Sequence, residues 1–138
     1  MARTGLALAT LALLVAGCGK GDASPEDQVR AAVEGYAKAF ATRDYQALCD
    51  TYFDPKVVSA LEESGLPCES AIRPQVSSTK DPKLEIKTIT VTDKTAKVTV
   101  RATAANEPAT DQTLALVQTK DGWRITPLGG TGPEPVGP

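Results

Sequence analysis

The sequence predicts an α+β domain: N-terminal helices packed on an antiparallel sheet of about four strands. Two observations carry this. Apolar residues recur at helical spacing from about residue 25 to residue 76, and from Lys80-Asp81-Pro82 onward the period changes to two. Helices followed by hairpin-linked strands is an α+β order. Of the 138 residues, only the interval 24–128 reads as domain.

Ser24-Pro25-Glu26-Asp27 is a helix start: a serine N-cap, proline at the first helical position, and acids where the macrodipole favours them. Val29, Val33, Tyr36 and Phe40 then mark one face of a helix that runs to about Thr42. Asp44 caps a second, short segment with apolar residues Tyr45, Leu48, Cys49 and Tyr52. Asp54-Pro55 repeats the cap-and-proline signal ahead of Val57, Val58 and Leu61, and Gly65 with Pro67 ends that helix. A last helical piece over about Cys68–Val76 is expected to be interrupted by Pro74.

The strands follow. Leu84 and Ile86 alternate with charges and Ile89 and Val91 continue in the opposite phase, which predicts a bulge near Lys87-Thr88. A turn at Asp93-Lys94 leads to Ala96, Val98, Val100 and Ala102. Asn106-Glu107-Pro108 reads as the next break, Thr113–Thr119 as a third strand, and Trp123–Thr126 as a fourth after the Lys120-Asp121-Gly122 turn. Residues 129–138 are rich in Gly and Pro and are expected to be disordered.

The first 23 residues carry a different message. Arg3 precedes the apolar stretch Leu6–Ala16, too short for a span of about 20 residues but suited to the h-region of an export signal. Val15-Ala16-Gly17-Cys18, preceded by Leu13-Leu14, resembles the lipobox of bacterial lipoproteins. That resemblance implies cleavage after residue 17 and a diacylglyceryl group on the Cys18 thiol. The membrane is then a partner through Cys18, and the domain lies on the outer side of the cytoplasmic membrane. Residues 18–23 read as a flexible tether; at about 3.5 Å per residue, the five after Cys18 reach about 18 Å.

Composition excludes several function classes. Net charge is −2 with no basic stripe, which argues against nucleic acid as a partner. There is no histidine, the commonest general base and metal ligand near neutral pH, and no phosphate-binding glycine loop. No metal and no cofactor are expected. Cys49 and Cys68 remain as an even pair in a chain read as exported and are expected to form a disulfide, with two buried thiols as the alternative.

The stretch Tyr36-Ala-Lys-Ala-Phe-Ala-Thr-Arg-Asp44-Tyr-Gln-Ala-Leu48, a long helix ending in a polar turn with aspartate capping the next helix, resembles the opening of the NTF2-like superfamily. The resemblance implies a sheet curled around the first helix into a cone with a pocket inside. Ketosteroid isomerases and polyketide cyclases belong to that superfamily, and Tyr36 matches the isomerase tyrosine that donates to a developing oxyanion. The isomerase base would fall near Ala60, where no acid stands, and Glu62 and Glu63 read as solvated helix surface. Tyr36 otherwise reads as a core tyrosine with a backbone partner for its hydroxyl. A pocket of Val33, Tyr36, Phe40, Tyr52, Val100, Leu116 and Trp123, mostly apolar, is expected to hold a small apolar ligand, with an envelope protein as the other candidate partner. An isomerase- or cyclase-like enzyme and a filled structural module are the alternatives.

Overall fold

A computed structural model describes residues 22–126. The expected signal segment 1–17, Cys18 and the Gly/Pro-rich residues 129–138 lie outside the described residues. Four helical elements precede a four-stranded antiparallel meander of order β1-β2-β3-β4.

Helix α1 spans Pro25–Thr42. The Ser24 hydroxyl accepts from the Asp27 N–H, Pro25 occupies the first turn, and the helix ends where Arg43 takes a left-handed conformation at φ 58°. Helix α2, Tyr45–Ala47, is capped by the Asp44 carboxylate and runs into a π-turn, Leu48–Tyr52, closed by the Phe53 N–H donating to the Leu48 carbonyl at 2.9 Å. Helix α3, Pro55–Glu63, starts on Asp54, whose carboxylate accepts from the Lys56 N–H. Helix α4 spans Cys68–Ser78 and passes through Pro74. Its two ends are held, Cys68 by a disulfide to Cys49 and Val76 by burial against Ala39 and Leu48, so the proline does not end it as the sequence suggested.

Strands β1 (Lys83–Thr92), β2 (Thr95–Ala104), β3 (Glu107–Thr119) and β4 (Gly122–Thr126) form the sheet. The β1–β2 register shifts between Ile86 and Thr88, where the change of phase placed a bulge. The third strand begins six residues earlier than the Thr113 expected. Asn106, at φ 65°, closes a two-residue turn. Pro108 lies where the β2–β3 register shifts between Ala102 and Ala104, so its missing N–H costs no ladder bond. Glu107–Gln112 is exposed and therefore shows no apolar alternation to betray a strand. Beyond the meander, Phe53 bridges Ile125 in parallel, and the Asp54 N–H donates to the Ile125 carbonyl at 2.8 Å.

Two clusters form the core. Val29 and Val33 of α1 pack on Ala96, Val98, Val100, Leu116, Trp123 and Ile125 of the sheet. Ala39, Leu48 and Val76 form the second between α1, the π-turn and α4. Burying each Val or Leu contributes about 1.5–3 kcal/mol relative to exposure.

Gly35 stands mid-helix in α1, where glycine costs about 0.5–1 kcal/mol relative to alanine. The Tyr52 ring explains it: a Cβ on Gly35 would come within 2.7 Å of Tyr52 Cε1 and 2.8 Å of Cζ. Gly35→Ala is expected to destabilise the wild type by about 1–2 kcal/mol through overpacking. In a Tyr52→Leu background the same change should become neutral or stabilising, as a double-mutant cycle from urea unfolding would reveal.

Candidate functional site

The inward face of the sheet changes character along its length. On β2 it runs Ala96, Val98, Val100 and then Ala102; on β3 the partners of these residues are Leu116, Leu114, Gln112 and Thr110. Bulky apolar residues thus meet α1 at one end, and small or polar ones stand at the other. Strand β4 pairs only with Ala115–Thr119 and does not reach that second end. With Ala37 also small on the facing helix, a cavity of about 470 Å³ is left between the C-terminal half of α1, the end of α4 and the β1–β3 strand ends. That volume falls in the ordinary range for small-molecule sites, about 300–1,000 Å³.

Tyr36, Phe40 and Leu84 supply the apolar wall. Tyr36 and Phe40 are tilted against each other with centroids 6.0 Å apart, and Phe53 supports Tyr36 from behind at 6.1 Å. Opposite them stand Thr110 and Gln112, whose side-chain amide donates to the Thr110 hydroxyl at 3.4 Å, leaving the amide oxygen for another donor. Gln75 and Thr79 border the cavity from α4, and Lys83 and Glu107 are exposed at its margin.

Of the seven residues the sequence grouped as a pocket, the structure brings Tyr36 and Phe40 to the cavity. Val33, Val100, Leu116 and Trp123 are buried in the first core cluster, and Tyr52 packs beside the second. The cause is register: those residues sit at the end of the sheet that α1 covers closely. Gln75, Thr79, Thr110 and Gln112 join Tyr36, Phe40 and Leu84 in the lining, which is therefore mixed rather than mostly apolar as expected. Thr110 and Gln112 were missed because their segment reads as loop; the step from Val98 and Val100 to Ala102 on one face of β2 was the available signal.

Burial raises the Tyr36 phenol pKa above its ordinary value, with no hydrogen bond or charge opposing the effect. Among the described residues the hydroxyl finds no backbone partner of the kind the core reading required. The unfolded phenol ionises near pH 10 and the folded one higher, so above about pH 10 the unfolded state binds fewer protons and stability falls as pH rises. Tyr36→Phe should flatten that alkaline slope, measured as urea midpoints between about pH 8 and 11.

Cys49 and Cys68 are joined in a disulfide with Cα atoms 6.1 Å apart, which excludes the reading as two free thiols. Both sulfurs are buried, and the bond ties the π-turn to the helix whose far end borders the cavity. Among the described residues, no group of three or more His, Cys, Asp or Glu could hold a metal ion, and no helix is long and apolar enough to cross a membrane. Ala60, Glu62 and Glu63 lie on α3, which does not border the cavity.

Helices packed on a curved antiparallel meander, with a cavity beside the first helix, define the NTF2-like α+β cone. An NTF2-like protein of unknown function from Silicibacter pomeroyi has this fold at a TM-score of 0.52 and 20% identity, covering 72% of this chain and 87% of that one. An NTF2-like transpeptidase structure from Campylobacter jejuni, so named provisionally, aligns at a TM-score of 0.49 and 14% identity over 75% of this chain and 97% of that one. No curated protein matches the chain. The chain belongs to the family described as "Putative lumazine-binding", whose model matches residues 24–127.

Proposed function

We propose that the protein is a lipid-anchored lipoprotein on the outer side of the cytoplasmic membrane whose NTF2-like domain binds a small amphipathic molecule without transforming it. The observation that carries the binding half is the cavity of about 470 Å³, with aromatic Tyr36 and Phe40 on one side and the Thr110–Gln112 pair on the other. The ionisable groups bordering it are Tyr36, whose phenol pKa burial raises, and Lys83 and Glu107 at the exposed margin. That set favours holding a ligand over abstracting a proton from it, since general-base catalysis wants a poised base within hydrogen-bond reach of the reacting centre. The anchoring half rests on Val15-Ala16-Gly17-Cys18. Two acyl chains on Cys18 hold far more firmly than one, at about 0.8 kcal/mol per buried methylene.

Two probes test the binding half. Lumazine is the ligand class in the family's description, a flat heterocycle with hydrogen-bonding edges; decylphosphocholine represents an amphiphile. A probe that binds only the native state at about 100 times its Kd stabilises by about 2.7 kcal/mol. Stabilisation of the full chain by at least one probe, lost in Ala102→Trp, is the expected result; equal stabilisation of the plugged variant would refute the cavity as the site. For the anchor, Cys18→Ser should shift the protein out of the membrane fraction or leave it unprocessed. An unchanged size and location would refute lipidation.

A further inference from the structure

The charges around the cavity narrow what it holds, given the reading above that it is a ligand site. Among the described residues the ion pairs are Arg30–Glu26 on α1, Lys87–Glu85 on β1 and Arg101–Asp111 across β2 and β3. Lys83 and Glu107, the two ionised side chains that line the cavity, belong to none of these pairs. They open β1 and β3, opposite Thr103 and Ala104 on the strand between them, so their backbones stand about 10 Å apart, two inter-strand spacings. One cation and one anion flank a cavity whose wall is Tyr36, Phe40 and Leu84.

A ligand of single charge gains from one of these groups and is repelled by the other, so the pair gives a mono-ion little net advantage. A head bearing both signs uses both. The volume is near the small end of ligand sites and suits one chain or one short tail. We propose that the occupant is a single-chain zwitterionic amphiphile, its tail against Tyr36, Phe40 and Leu84, its anionic group toward Lys83 and its cationic group toward Glu107.

Four decyl probes, each below its micelle concentration, distinguish the possibilities: decylphosphocholine, decyl phosphate, decyltrimethylammonium and decyl maltoside. With the full chain in calorimetry, the phosphocholine should bind at least tenfold tighter than the maltoside and tighter than either mono-ion. Lys83→Gln and Glu107→Gln, both at exposed positions, should each lower phosphocholine affinity severalfold more than maltoside affinity, with the thermal midpoint of the unliganded protein unchanged. Equal affinity for phosphocholine and maltoside, or tightest binding of a mono-ion, would overturn the zwitterion assignment and leave the cavity as a ligand site. Binding of lumazine with none of the four decyl probes would likewise overturn this assignment alone. Failure of all five probes would overturn the ligand-site reading with it.

Discussion

Replacing Cys49 and Cys68 together by alanine should lower the unfolding free energy by about 3 kcal/mol. The bond closes a loop over a sequence separation of 19, and chain-entropy arguments assign a constraint of that length about 3 kcal/mol. For a domain of about 100 residues this corresponds to a fall in Tm of roughly 15 °C. The loss has a functional side as well. Helix α4 is fastened by Cys68 at its start and Val76 near its end, and Gln75 and Thr79 border the cavity beside that second contact. The double variant should therefore bind any cavity probe more weakly even where it remains folded. Thermal unfolding of the oxidised and reduced wild type beside the variant separates the bond from the side chains. A Tm unchanged by reduction would contradict the expectation.

Leu116→Ala should cost about 3 kcal/mol, within the range of about 2–5 kcal/mol for buried leucine truncations. Leu116 is 1% exposed and lies where Val29, Val33, Val98 and Ile125 meet, so the space vacated has atoms on every side. Leu84 provides the contrast. It is half-buried, packs on the edge of the same cluster and faces the cavity, so truncating it enlarges an existing space and should cost only about 1 kcal/mol. Urea unfolding of both variants, with unchanged slopes, measures the difference. Comparable costs at the two positions would mean that the cavity is closed in solution.

The capping residues made the helices legible: Ser24, Asp44 and Asp54 each cap the element the sequence assigned to them. The alternation around Val98 and Val100, and the change of phase before Ile89, made the first hairpin and its bulge equally plain. Two kinds of information were hidden. The outer half of β3 is solvated on both sides, so Glu107–Gln112 carries no burial pattern and Pro108 suggests a break. The site depends on which end of the sheet meets α1, and that is set by the length of β4 and the β2–β3 register rather than by any residue type. Tyr36 and Phe40 were readable because they share a helical face; Ala102, Thr110 and Gln112 were not, because a cavity is marked by bulk that is missing. Gly35 belongs with them, since nothing near it in sequence reveals the Tyr52 ring against which it packs.

In the function proposed above, this cavity is the ligand site. The most direct test of that reading is a titration of the isotopically labelled full chain with decylphosphocholine, followed through backbone and side-chain resonances by NMR. Saturable shifts centred on Tyr36, Phe40, Ala102 and Gln112, with Val29 and Trp123 in the filled end little affected, are the predicted result. Shifts confined to the outer face of the sheet, or rising without saturation across the surface, would contradict it.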